Sequence, residues 1–369
     1  MIKSLNDYKT TKQNRNERMF NFYKTYGKEV TPFVEKYEKT RIVELSKFSI
    51  LATLITAFAI VFISINQFLN AIIFGLIIYA ITISCLYYWI NHNFQKKVKQ
   101  DLLQKVLRGL GDIYWIPEKS IIDSKTLRKS ELFGIYNIRR NDDTFQGKYK
   151  DLNFKISESV MKYETGSGRN RRVYTIFQGV IILIDSNKEI NAQTVITTKG
   201  DKNTRNSTPG TIAAALISSI ILVVLGIIMQ DFFRIGIAVF LFIVFTLLII
   251  NERHQQAKKM SNMTLEDPEF NKKYDVFTQD QIEGRYLVTT SFMEKFKNLH
   301  TAFGTKMAKC AFFDNKVMFA LSTEKNLFEL SEGIFCSLKN PKQTKVFYEE
   351  ISAIYDIIDY FKLAEKTGL

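Results

Sequence analysis

FSILATLITAFAIVFISI (residues 48–65) and FLNAIIFGLIIYAITISCLYYWI (residues 68–90) are uncharged apolar runs separated only by Asn66-Gln67. At about 1.5 Å rise per residue each reaches roughly 27–35 Å as a helix, enough for a hydrocarbon core of about 30 Å. The link allows only a tight reversal, so the pair reads as a helical hairpin that enters a membrane and returns to the side it came from. Residues 212–229 and 232–250, joined by Gln230-Asp231, repeat the pattern. The predicted class is therefore an integral membrane α+β protein, with four transmembrane helices in two hairpins and one composite cytosolic domain.

Positive charge near the runs sets the expected orientation, because cytoplasmic flanks retain Lys and Arg. Lys36, Lys39, Arg41 and Lys47 precede the first run, and Lys96, Lys97, Lys99 and Lys105 follow the second. Lys199, Lys202 and Arg205 precede the third, and Arg253, Lys258 and Lys259 follow the fourth. The expectation is a multi-pass membrane protein with cytoplasmic N- and C-termini. The first run begins too far from Met1 for an ordinary cleaved signal peptide.

The chain divides accordingly. Residues 1–47 read as cytosolic amphipathic helices and 48–91 as transmembrane hairpin 1. Residues 92–208 read as a cytosolic helix followed by a mainly β part, and 209–251 as transmembrane hairpin 2. Residues 252–340 supply a helix and a β-hairpin completing the same domain, and 341–369 a C-terminal amphipathic helix. Val173–Phe177 and Val180–Ile184 are β-branched and apolar, as buried strands are. Ala308–Phe313 and Val317–Leu321 flank the turn pair Asp314-Asn315. Neither cytosolic half carries enough complementary surface to close a core alone, so the two are expected to share one.

Composition narrows the function classes. The formal charge is +14, but much of the excess flanks the apolar runs, where orientation and anionic headgroups account for it. No nucleic-acid recognition motif is present, so no nucleic-acid partner is expected. Cys85, Cys310 and Cys336 show no CxxC or zinc spacing, and His92, His254 and His300 are solitary. No cofactor, metal site or catalytic set is therefore assigned. The apolar runs hold no ionisable residue deep inside, which argues against a coupled transporter.

Two polar constellations stand out. Glu266, Asp267, Glu269, Asp280, Glu283 and Arg285 form a dense acidic cluster. As chemistry it offers paired carboxylates for acid–base work. As structure, Asp267 before Pro268 and Asp280 before Glu283 have N-cap and capping-box spacing, and Arg285 can pair with a nearby acid. The structural reading is preferred. In Gly166-Ser167-Gly168-Arg169-Asn170-Arg171-Arg172, a flexible loop carries Arg169, Arg171 and Arg172, candidates for contact with an anionic lipid headgroup or an acidic partner. A solvated hairpin tip is the simpler alternative. The loop lacks the length and closing Lys-Ser/Thr of a phosphate-cradling P-loop.

Leu265-Glu266-Asp267-Pro268-Glu269-Phe270, Tyr274-Asp275-Val276-Phe277-Thr278 and Asp280-Gln281-Ile282-Glu283-Gly284-Arg285-Tyr286-Leu287 carry a resemblance. Together they resemble the "EDPEF … F-x-VY-S-x-D-Q-V-E-A-R-Y-L-L-T" segment of an uncharacterised bacterial membrane-protein family, a domain of unknown function. Ser130-Glu131-Leu132-Phe133 and Phe177-Gln178-Gly179 are similar to further parts of it. Gly284 departs from the family's usual Ala. The resemblance implies an integral membrane protein with a cytosolic α+β domain and transfers no catalytic residue. The leading expectation is a non-enzymatic, membrane-anchored scaffold or binding protein at the inner membrane surface. Its expected partners are the lipid bilayer, anionic headgroups, and a second copy or another protein. The alternatives are a membrane-tethered hydrolase or lipid-acting enzyme using the acidic cluster, and an oligomeric channel.

Overall fold

A computed structural model describes residues 15–65, 68–186, 189–201, 260–305, 307–340 and 342–366. Two helices dominate its first third. Helix α1 runs Arg15–Ile65, with a π turn at Tyr26–Val30, and α2 runs Leu69–Arg108. Both are long and apolar enough to cross a membrane, and among the described residues their apolar stretches are not buried. Hydroxyls there bond back to the preceding turn, Thr53 to the Ser49 carbonyl and Ser84 to that of Ala80. Such bonds satisfy the hydroxyls within the helix, without a water partner. The Thr56 and Tyr79 hydroxyls bond each other across the hairpin at 3.1 Å. Helix α2 ends where Gly109 caps it.

The rest is built on a sheet of nine strands: β1 (Asp112–Trp115), β2 (Ile138–Tyr149), β3 (Leu152–Thr165), β4 (Arg172–Asp185), β5 (Thr194–Thr198), β6 (Ser261–Asn262), β7 (Tyr274–Thr278), β8 (Met307–Phe313) and β9 (Lys316–Ser322). The spatial order is β1-β2-β3-β4-β9-β8-β5-β7-β6, and every paired neighbour is antiparallel. Strand β5, from before residue 202, lies between β8 and β7, from after residue 259. The short helices are α3 (Ser124–Lys129), α4 (Pro268–Lys273) and α5 (Gln281–Leu287); α6 (Thr290–Ala302) and α7 (Lys342–Lys366) are longer.

Both faces of the sheet are covered, which is why Val180–Ile184 is an unbroken apolar run rather than an alternating one. Val180, Ile182 and Ile184 join Phe145, Phe154, Phe312 and Phe319 against α2, α6 and α7. Ile181 and Leu183 join Phe177 and Met318 beneath a layer carrying Leu127, Leu132 and Phe133. Each such buried side chain contributes about 1.5–3 kcal/mol of transfer free energy. Asp314 and Asn315 both adopt positive φ (45° and 55°), the conformation that joins β8 tightly to β9. Gly179 sits at φ +147° where any Cβ would overlap the Leu321 carbonyl oxygen, so only glycine lets β4 approach β9 here.

The expected fold class is corrected by this architecture. The described chain has two candidate membrane helices, not four, and its mass is a large antiparallel sheet. The runs at 212–229 and 232–250 fall outside the described residues. Apolarity and length limit where a run can reside; they do not by themselves form a helix or pair it with another.

Candidate functional site

The densest long-range polar contact joins the helix pair to the segment that follows β9. On α1, Glu38 and Arg41 are three residues apart; on α2, Asn91, Gln95 and Lys99 recur every four. Those spacings put each set on one helix face. Both faces meet residues 323–340. The Glu38 carboxylate accepts from the Ser337 hydroxyl (2.9 Å) and the Leu338 amide (3.0 Å), and is itself forked by Arg41. Arg41 also donates to the Ile334 carbonyl (2.7 Å), while Asn91 Oδ1 accepts from the Ile334 amide (3.0 Å). Gln95 donates to the Ser331 carbonyl (3.4 Å), and Lys99 pairs with Glu329 (2.6 Å). The Arg41 bond, ahead of the opposing effect of burial, holds the Glu38 carboxyl below its ordinary range.

The segment is shaped to be gripped. Its backbone amides turn to side chains instead of a strand ladder: those of Ile334 and Leu338 to Asn91 and Glu38 on the helix pair, that of Leu327 to Glu158 on β3, and that of Gly333 to Ser331. Gly333 adopts φ +108°, and a Cβ there would overlap Asn91 Oδ1. Leu327, Phe328, Leu330, Ile334 and Leu338 point inward and are buried. Phe335 does the reverse. It is 57% exposed and lies on Tyr87 (ring centroids 5.4 Å) and Phe48 (5.6 Å), the residue that opens the first apolar run.

Beneath the grip lies a buried acid–base group. The Lys99 ammonium bonds Asp143 as well as Glu329, and Trp115 Nε1 donates to Asp143 (2.8 Å). Burial opposes the Lys99 charge, but the two carboxylates outweigh it and raise the ammonium's pKa. Burial pushes the Asp143 carboxyl up to about 6 against the pull of Lys99. Burial and the neighbouring Asp143 push Glu158 up to about 8. Glu158 Oε1 accepts from the Leu327 amide (3.4 Å); Oε2 is buried without a hydrogen-bond partner among the described residues. Burial likewise takes Glu350 to about 7, where it accepts from the Phe328 amide. Charged groups in low dielectric neutralise when pairing is incomplete, which is the common cause.

A second lock closes the far end. Arg18 donates to Asp359 (2.7 Å), to the Tyr149 hydroxyl (2.9 Å) and to Asp356, and Lys150 pairs with Asp359 (2.6 Å). Tyr149 stacks on Tyr355 at 4.2 Å. These contacts tie the start of α1 to α7 and to the β2–β3 turn.

The residues singled out in the sequence lie elsewhere. Asp267 caps α4, accepting from the Glu269 and Phe270 amides, with Pro268 at its first turn. Lys297 pairs with Asp267 at 2.7 Å, and that bond leads the effects holding its carboxyl below the ordinary range. Asp280 caps α5. Glu283 does not close a capping box: its carboxylate accepts from the Asn191 (2.8 Å) and Ala192 (2.9 Å) amides, while the Asp280 amide turns to the Thr278 hydroxyl. Arg285 bonds Gln281 within its own helix. Gly284 is buried, and a Cβ there would sit 2.9 Å from Thr278 Oγ1 and 3.1 Å from Met263, so glycine makes room for that packing. Arg169 is placed by its backbone in the turn Gly168–Asn170, Arg171 forks Glu164 (2.6 and 2.8 Å), and Arg172 opens β4. β9, β8 and β5 separate these arginines from the acidic segment at β7. Among the described residues no group of His, Cys, Asp and Glu is placed to hold a metal ion.

The junction is not visible as a motif, because its members are scattered singly over both helices and one irregular segment. The four-residue recurrence of Asn91, Gln95 and Lys99 past an apolar run is the signal that could have pointed to it.

Residues 175–363 match the model of a family described as a protein of unknown function (DUF3137). The chain belongs to that family. The match opens inside β4 and closes inside α7, so it takes in the gripped segment and the acidic signature, but neither α1 nor α2. No curated protein and no solved structure matches the chain.

Proposed function

We propose that this protein is a membrane-anchored binding protein, non-enzymatic, whose sheet domain is held as one body with its anchor at the inner surface of a bacterial plasma membrane. The observation that carries this is the grip of Glu38, Arg41, Asn91, Gln95 and Lys99 on residues 329–338. The same two helices continue, without a break, into apolar stretches that the other described residues leave exposed. Exposed Tyr88 and Trp89 mark the interfacial level on α2, and Lys96, Lys97 and Lys105 follow on the side read as cytoplasmic. A head fixed rigidly to its anchor presents one constant face to partners and another to lipid.

Binding is favoured over catalysis because the acidic signature is engaged structurally. Asp267, Asp280 and Glu283 accept from backbone amides of the turns they shape.

The test uses the full chain in membranes. It is expected to remain in the pellet after alkaline carbonate extraction, and its head to resist limited proteolysis until Glu38→Ala and Asn91→Ala are combined. Release by carbonate contradicts the anchor, and equal protease resistance in the double variant contradicts the grip. Turnover of a lipid or ester substrate by the purified chain would favour a membrane-tethered hydrolase instead.

A further inference from the structure

The hairpin of β3 and β4 outruns the sheet that carries it. The pairing of β2 with β3 ends at Ile138–Lys162, and that of β9 with β4 at Gly179–Ser322. Beyond those points, among the described residues, the strands pair with each other through Tyr163–Tyr174, Glu164–Val173 and Thr165–Arg172. Asn137 adds side-chain bonds to the Glu164 backbone. The result is a two-stranded finger.

Its direction follows from contacts along α2. Strand β1 starts just past the end of α2, and Trp115 has come back to Gln104. Asp143 on β2 meets Lys99, while Tyr149, at the strand's other end, meets Arg18 near the start of α1. Strand β2 therefore runs away from the apolar stretches, and antiparallel β3 returns toward them. Glu158 on β3 is beside Asp143 and within electrostatic reach of Lys99. From Lys99 to Tyr87 the helix climbs about 18 Å. From Glu158 to Thr165 the strand extends about 23 Å. Even well inclined, the finger reaches the level where Phe48 and Tyr87 enter the apolar zone.

Its chemistry suits that level. Residues 162–172 carry Lys162, Arg169, Arg171 and Arg172 against the single carboxylate Glu164. Val173 and Tyr174 are 47% and 49% exposed on the adjoining strand. Gly166 and Gly168, both at positive φ, keep the turn small. Arginine holds phosphate through its planar fork, and tyrosine settles where apolar and wet regions meet. The Arg171–Glu164 fork braces the tip.

We propose that the β3–β4 fingertip is a second membrane contact, docking on anionic phospholipid headgroups of the leaflet that the helix pair crosses. This rests on the anchoring proposed above. Each arginine near an anionic surface raises occupancy about fivefold, so removing the tip arginines lowers it on the order of ten- to a hundredfold.

The test places a nitroxide on Ser167→Cys in the full chain, with Cys85→Ser and Cys336→Ser, in nanodiscs. Adding phosphatidylglycerol to phosphatidylcholine is expected to lower nickel-chelate access and raise oxygen access at the label. High salt, or Arg169→Ser with Arg171→Ser and Arg172→Ser, is expected to abolish that difference. A second label on native Cys336, with Cys85→Ser, separates the two proposals. Interfacial depth at Cys336, with Ser167→Cys as accessible in both lipids as a label at Asp314→Cys on the opposite end, overturns the fingertip contact alone. Full water access at Cys336 as well overturns the anchoring and the fingertip together.

Discussion

Gly333 and Glu158 show how single atoms govern the junction. At Gly333 the backbone sits at φ +108° with no room for a Cβ beside Asn91. Gly333→Ala is expected to lose roughly 1–3 kcal/mol, read as a lower denaturation midpoint in detergent. Combined with Asn91→Ala, the loss should be smaller than the sum of the two single losses, since the overlap goes and the strained φ stays; strict additivity would contradict the contact. Glu158 carries the pH dependence. Its folded carboxyl titrates near 8 instead of the ordinary 4.5, so the folded state holds a proton that the unfolded chain has released between those values. Stability is therefore full below about pH 4.5 and falls as pH rises through 8. Glu350, raised to about 7, acts in the same direction. Melting at pH 5.5 and 8.5 should show the wild type weaker at the higher pH. Glu158→Gln should narrow that gap by roughly 2 kcal/mol. An unchanged gap would mean the buried carboxyl is not what titrates.

At the scale of elements, Glu283 is the informative residue. Its carboxylate staples α5 to the Asn191–Ala192 turn that leads into β5. Glu283→Ala is expected to destabilise by about 1–2 kcal/mol and to speed amide exchange at Asn191 and Ala192 specifically. Faster exchange at the first turn of α5 instead would restore the capping-box arrangement. Sequence spacing suggested the capping box because it registers only local offsets; the staple spans 92 positions, and no spacing rule reaches that far. The same limit explains β1 and β7. Tyr114-Trp115 reads as connector, and Tyr274–Thr278 is too short to announce itself, yet both pair once neighbours exist. By contrast the Asp314-Asn315 hairpin was legible, because a tight turn needs residues that tolerate positive φ. Gly179 within Phe177-Gln178-Gly179 could be quoted but not explained until Leu321 was seen to approach it.

For the whole molecule, the apolar runs at 48–65 and 68–90 were readable as long helices, because each is uncharged and long enough to form one uninterrupted by turn residues. The junction was not, because a grip distributed over isolated polar residues has no composition of its own. The two locks, Arg18 at one end and the Glu38–Lys99 face at the other, clasp α1 and α2 to the sheet domain along their polar length. In the anchoring proposed above, helices so clasped transmit any tilt to the head, and any load on the head to the helices. The most direct measurement of this arrangement is thiol labelling of the full chain in intact and lysed spheroplasts, with Cys85→Ser and Cys336→Ser, using a membrane-impermeant maleimide. Asn70→Cys, at the turn end of α2, is expected to react in intact cells, and Asp314→Cys, on the β8–β9 turn, only after lysis. Reaction of both from the same side would contradict the crossing, and with it the head held beneath the membrane.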